Sequence, residues 1–224
     1  MTCSLPRSTR TDIISVSHCT DYRTTAMLIY AYNGMRIDLR NEVRRLLAEA
    51  IKREANRIKI KYQTNDPYEV CRAMNITVST APMGTNEGSC KGFFLVNARR
   101  KIAVINSDLP AHIQRIILPH ELGHGVLHWS PSLCTFHETS ILNETNRIEY
   151  EANIFAAEFM MSDDDVLETL QLGLNLFQTA SALKVPPELL DFKLRLLQKE
   201  NNRIVAPYIG RGDFLKRNLD EPLC

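Results

Sequence analysis

Apolar residues recur at helical spacing along the first well-patterned stretch of the chain. Leu39, Val43, Leu46, Leu47, Ala50, Ile51 and Ile58 recur at positions that share one helix face, with Arg and Lys between them. Asp38 can cap that helix, which is predicted to run to about Ile60. Asp66-Pro67 reads as a cap followed by proline at the first helical position, opening a short helix that ends near Asn75. The pattern then switches to strands: Ile76–Thr80, then Phe93–Val96 and Ile102–Ile105 as a hairpin with a basic turn. Ser107 or Asp108 can cap the next helix, which carries Pro110 in its first turn and an internal Pro119 that should kink it or remove one hydrogen bond. It runs through Ile113, Ile116, Ile117 and Leu118 to His128, and residues 130–140 read as a loop. A further helix covers about 146–161, with Asn146 and Glu149 at capping-box spacing. Ser162 caps another, and a helical pair over about 176–200 turns near Val185-Pro186-Pro187. The fold class is therefore α+β.

The two ends lack this order. Residues 1–34 show no sustained period and read as a leader or flexible arm, with Met27 or Met35 as alternative starts to Met1. Residues 201–224 read as a tail. The domain division is then 35–162 as the main domain and 163–200 as a helical extension.

At 224 residues, with 44% hydrophobic and 24% charged content, the chain can bury the core of one ordinary domain. No apolar run approaches the ~20 residues that span a bilayer, and Ala26–Ala31 is too short for an export signal. These features predict a cytoplasmic protein with no membrane partner. The six cysteines are scattered without a C-x-x-C pair and read as reduced thiols. The net charge of +1 conceals a polarity: residues 1–61 carry 12 Lys/Arg and 6 Asp/Glu, whereas residues 138–191 carry 2 and 11. Either these are solvated helix faces, or the two ends attract each other or different partners.

Five of the six histidines (112, 120, 124, 128 and 137) fall within 26 residues. Among them is His120-Glu121-Leu122-Gly123-His124, the H-E-x-x-H pattern. Two histidines four apart on a helix project from one face and can each give a nitrogen to one Zn²⁺. Glu121, about 100° around the helix, can reach the activated water without being a ligand and act as general base and acid. Gly123 and Gly125 suit the close approach of another backbone.

A third protein ligand is needed. The H-E-x-x-H-x-x-G-x-x-H pattern is excluded, because Leu127 and Ser130 stand where its Gly and His would be. The next helix offers Glu149, Glu151 and Glu158. Glu151 shares an inward stripe with Ile148 and Phe155 and is the choice. Glu149 lies about 200° away with a capping role available, and Glu158 is seven residues further on. His128 cannot easily join the same tetrahedron, because three successive turns cover about 12 Å; a packed or hydrogen-bonded role suits it better. His112 reads as surface or core filler. His137 and Tyr150 are lesser candidates for helping a developing oxyanion.

His120-Glu-Leu-Gly-His124 followed by Glu151-Ala-Asn-x-Phe155-Ala-Ala-Glu158-Phe-Met-Met161 resembles the ImmA/IrrE family of metallopeptidases, over about residues 60–200. The resemblance implies a small zincin-like domain with a short sheet, a Glu-bearing second helix and a helical extension. It implies one zinc on His120, His124 and Glu151, with Glu121 as the catalytic acid/base. Family members act in bacteria, phages and mobile elements, and several cut a helix-turn-helix repressor. Here Ser162 follows Met161 where the family usually has proline. The expected substrate is such a protein, bound as an added strand along Phe93–Val96 or Ile102–Ile105. A competing reading is a DNA-binding regulator using 177–197 as a helix-turn-helix, but Pro186-Pro187 would open its recognition helix and the acidic stretch would repel phosphate, so direct nucleic-acid binding is disfavoured. A third is a pseudo-enzyme with structural zinc, which the intact Glu121 opposes.

Overall fold

A computed structural model describes residues 37–86, 88–97, 100–128, 135–138 and 147–200. The leader 1–34, the tail 201–224 and the Asn146 cap lie outside the described residues. Helix α1 spans Ile37–Tyr62 and buries Leu47, Ala50, Ile51 and Ile58 of the predicted stripe together with Ala55, while Val43 and Leu46 are half-buried. Helix α2 (Pro67–Ala73) begins as expected, with the Asp66 side chain accepting from the Tyr68 amide at 2.8 Å and Pro67 in the first turn. Asn75, at φ 55°, turns the chain into the sheet.

Strands β1 (Ile76–Ala81), β2 (Gly92–Asn97), β3 (Arg100–Asn106) and β4 (Thr135–Glu138) form one sheet in the order β1-β3-β2-β4. β1 runs parallel to β3, while β2 is antiparallel to β3 and to β4. The three expected strands are present; β4 falls where a loop was predicted. Its four residues, Thr-Phe-His-Glu, are too few to display an alternation. β4 also changes how a substrate strand could be added. Of the two strands proposed for that role, 102–105 is flanked on both sides, and so is 93–95 of 93–96, so their backbone groups are already paired.

Buried Asn106 ends β3 and organises the loop before β2. Its Oδ1 accepts from the Met83 and Asp108 amides, and its Nδ2 donates to the Gly84 and Cys90 carbonyls at 2.7 and 2.8 Å. Helix α3 (Ala111–Gly123) follows. Its N-cap is Pro110, with no side-chain cap; Asp108, a predicted cap, accepts instead from the Gly84 amide. The helix passes through Pro119 and widens into a π-helical turn at His124–His128.

Helix α4 (Arg147–Met160) packs against α3 and α1. Ser162 caps α5 (Asp163–Gln171) by accepting from the Asp165 amide at 3.1 Å, so serine at this junction supplies a capping oxygen that proline would lack. Helices α6 (Leu176–Leu183) and α7 (Pro187–Glu200) complete the described chain. α7 packs on α4 and α1, and a single apolar cluster runs from Leu47 to Leu197, so the helical extension shares the core of the rest.

The charge polarity is partly used inside the fold. Lys52 of α1 pairs with Asp163, and Lys59 donates to the Glu158 carbonyl at 3.0 Å. Lys193 of α7, fully buried, reaches Glu158 at 2.6 Å and Asp163 at 2.5 Å. Burial raises the Glu158 carboxyl, although Lys193 opposes the shift. Burial also acts to raise Asp163, but hydrogen bonds from Lys193 and Lys52 outweigh it and hold that carboxyl below its ordinary value. Burial pushes the Cys71 thiol up to about 12, which makes it inert as a nucleophile.

Candidate metal centre

The end of α3, its π turn and the first half of α4 come together over the sheet. His120, Glu121 and His124 are all buried. The two histidines turn their Nε2 atoms toward each other, 3.1 Å apart. The carboxylate that faces them belongs to Glu149: its Oε2 lies 3.3 Å from His120 Nε2 and 3.4 Å from His124 Nε2. Among the described residues these three form the group able to hold a metal ion.

Glu151, the ligand expected from the sequence, stands elsewhere. Its Oε2 contacts His128 Nε2 at 3.0 Å and its Oε1 accepts from Arg147 Nε at 2.6 Å. An inward direction does not single out Glu151, because α4 has no outward side over this stretch: every residue from Glu151 to Phe159 is buried, and so is Glu149. A helix wrapped on all sides carries no stripe that ranks its glutamates. The capping role that drew attention from Glu149 depended on Asn146, which lies outside the described residues. Glu158, the remaining alternative, is committed to Lys193.

A four-coordinate zinc with N and O donors at about 2.0–2.2 Å places those donors roughly 3.3–3.6 Å apart. The three observed separations, 3.1, 3.3 and 3.4 Å, are close to the edges of such a tetrahedron. Hydrogen bonding gives a second indication. His120 Nδ1 lies 3.0 Å from Asn153 Oδ1, an acceptor, so the proton belongs on Nδ1 and Nε2 presents a lone pair to the cluster. That lone pair facing a carboxylate suits a cation between them. The residues therefore fit a zinc-type ion.

Glu121 is positioned by a glycine. A Cβ built on Gly92 would come within 3.0 Å of Glu121 Oε1, 2.9 Å of the Val104 carbonyl and 2.5 Å of Ile117 Cγ2. The start of β2 is thus bare where Glu121 lies against it. Glycines in the helix serve packing. Gly123 admits α4, with Ala152 Cα 3.3 Å from a Cβ placed there; Gly125 admits the Phe94 ring, a side chain rather than the backbone expected.

Neither Gly92 nor Asn153 stands out in the sequence. A signal was present for the second: Glu149 and Asn153 are four apart and so share a helix face, as do His120 and His124. His128 has the hydrogen-bonded role predicted for it, with Nδ1 3.1 Å from His124 Nδ1. His112 is exposed. The His137 backbone pairs opposite Phe93 in β4. Tyr150 faces α7: its ring packs edge-on to Phe192, and its hydroxyl accepts from Lys199 at 3.3 Å.

Comparison with known proteins places this architecture. Residues 71–195 match the family described as the IrrE N-terminal-like domain, peptidase family M78. The chain belongs to the ImmA/IrrE family. It is 27% identical over 166 residues to the metallopeptidase ImmA of Bacillus subtilis, covering 73% of this chain and 95% of ImmA. It is 34% identical over 144 residues to an uncharacterized immunity region protein 2 of Bacillus phage phi105, covering 64% of this chain and 88% of the phage protein. As an ImmA/IrrE member the chain is a metallopeptidase with a small α+β catalytic fold. Among the described residues, no helix is long and apolar enough to cross a membrane.

Proposed function

We propose that this ImmA/IrrE metallopeptidase is a zinc-dependent endopeptidase of the gluzincin type, with one metal held by His120, His124 and Glu149. Its substrate is a specific protein, a helix-turn-helix transcriptional repressor of a mobile element or stress regulon, met in the cytoplasm. The observation that carries the reading is the near-tetrahedral triangle of His120 Nε2, His124 Nε2 and Glu149 Oε2, with buried Glu121 one residue from the first ligand. The repressor comes from the family resemblance, and a relative called an immunity region protein is consistent with it.

When bound, the metal supplies Lewis acidity, polarising the scissile carbonyl and lowering the pKa of water to about 7. The protein's part is to place and protect a base. Glu121 sits about 100° around the helix from His120, out of the ligand triangle but beside it. From there its carboxylate takes the proton of the attacking water and returns it to the departing amine. Gly92 leaves it the space to do so.

The DNA-binding alternative has the expected helices but not the free surface. From Leu189 to Leu197, α7 is buried at every position except the half-buried Arg195, so it has no face to lay in a groove.

The test is Glu121→Gln, assayed with a purified helix-turn-helix repressor as candidate substrate. The wild type should cut it into two fragments visible by mass spectrometry. The variant should bind one zinc and leave it intact. Cleavage at the wild-type rate by the variant would remove Glu121 from the mechanism, and an uncut partner with the zinc-loaded wild type would refute the repressor as substrate.

A further inference from the structure

The ligand face of α4 explains Glu149 but leaves a second buried carboxylate, Glu151, with work of another kind. Four side chains form a continuous line away from the cluster: His124 Nδ1 to His128 Nδ1 at 3.1 Å, His128 Nε2 to Glu151 Oε2 at 3.0 Å, and Glu151 Oε1 to Arg147 Nε at 2.6 Å. We propose that Glu151, acting through His128, is a positioning residue for the metal centre. It fixes the proton of His124 on Nδ1 and turns Nε2 toward the ion. This inference rests on the reading of His120, His124 and Glu149 as the ligands.

One arrangement of protons along the line makes His124 a metal ligand. A carboxylate held by Arg147 is an acceptor, so His128 carries its proton on Nε2 and donates it to Glu151. In that arrangement the Nδ1 of His128 turns a lone pair to His124. His124 then donates into it from its own Nδ1, and its Nε2 lone pair points toward His120 and Glu149. The same result holds for His120 through Asn153, by an independent contact on the other side. In this arrangement both ligand histidines turn Nε2 lone pairs toward the ion, one oriented by an amide oxygen and one by a carboxylate reached through a second imidazole. Such outer partners fix ring orientation and raise ligand basicity.

The local fold makes the relay possible. His128 follows His124 by four residues within a π-helical turn, and their ring centroids lie 5.2 Å apart. On α4, Arg147 and Glu151 are four apart and share one face, while Glu149 points from another. Two glutamates separated by one residue can thus serve one metal in different shells.

The experiment measures zinc dissociation constants by competition with a chromophoric chelator, for the wild type and Glu149→Ala, Glu151→Leu, Glu151→Gln and His128→Phe. Glu149→Ala should lose tight binding. Glu151→Leu and His128→Phe should each still take up one zinc, with affinity weakened about 10–100-fold. Glu151→Gln, which keeps an oxygen for His128, should fall between them and the wild type. In the zinc-loaded wild type the His124 Nδ1–H proton should be visible by NMR and protected from exchange, and His128→Phe should expose it. A role confined to packing would not move that signal. Wild-type affinity in both Glu151→Leu and His128→Phe, with Glu149→Ala impaired, overturns this inference alone. Wild-type affinity in Glu149→Ala overturns the ligand set and this inference with it.

Discussion

Asn153 Oδ1 lies 3.0 Å from His120 Nδ1, while the other nitrogen of that ring faces Glu149. One turn of α4 thus supplies both a direct neighbour of the cluster and the group that orients a histidine in it. Asn153→Leu should weaken zinc binding by about 10–100-fold while keeping a stoichiometry of one. Asn153→Asp retains the acceptor and should bind zinc at least as well as Asn153→Leu does, by a clear margin. Equal affinities for the two variants, measured by chelator competition, would show that this hydrogen bond does not tune the site.

Two glycines are predicted to separate folding from catalysis. In Gly125→Ala the new methyl would meet Phe94 Cζ at 2.5 Å, and that ring is buried. Overpacking of this kind costs about 1–3 kcal/mol, and thermal unfolding should register it. Gly92→Ala crowds Ile117, a strand carbonyl and Glu121 together. Its loss of peptidase activity should exceed any loss of zinc affinity, because Glu121 is the group displaced at the site.

Lys193 holds together parts of the chain distant in sequence. Removing the ammonium in Lys193→Met leaves Glu158 buried without its partner, a change that costs about 3–5 kcal/mol in comparable buried pairs. Adding Glu158→Gln should recover part of the loss. Denaturant unfolding of the two single variants and the double variant measures the coupling; strict additivity would mean that the pair does not act as a unit.

Acid should reveal Asp163. Its folded carboxyl titrates below the ordinary value, because the hydrogen bonds from Lys193 and Lys52 outweigh its burial. The stabilisation is complete above the unfolded value of about 3.9 and is lost as pH falls through the lower folded one. Asp163→Asn should therefore be less stable than the wild type near neutrality, with the gap narrowing below about pH 4. A gap that stays constant across that range would disconnect the carboxylate from acid unfolding.

The sequence displayed helices with one wet face and strands long enough to alternate. It displayed the His120–His124 pair because two residues four apart define a face whatever surrounds them. It did not separate Glu149 from Glu151, since α4 is enclosed by other elements and periodicity is informative only at a boundary between core and water. It did not show β4, whose four residues acquire meaning only against β2, nor Gly92, whose value lies in what packs against it. Asp108 does not cap α3 for a related reason: it has a tertiary partner, Gly84, that local rules do not include.

The enclosure of α4 has a further consequence for how this chain can vary. One residue inserted between Tyr150 and Asn153 would rotate the following part of the helix by about 100° relative to Glu149. Asn153 would leave His120, and Glu158 would leave Lys193. No side of the helix faces solvent to absorb the turn. Changes of length are therefore confined to the connections outside this helix, and the register between Arg147 and Glu158 is as much a part of the site as the side chains themselves.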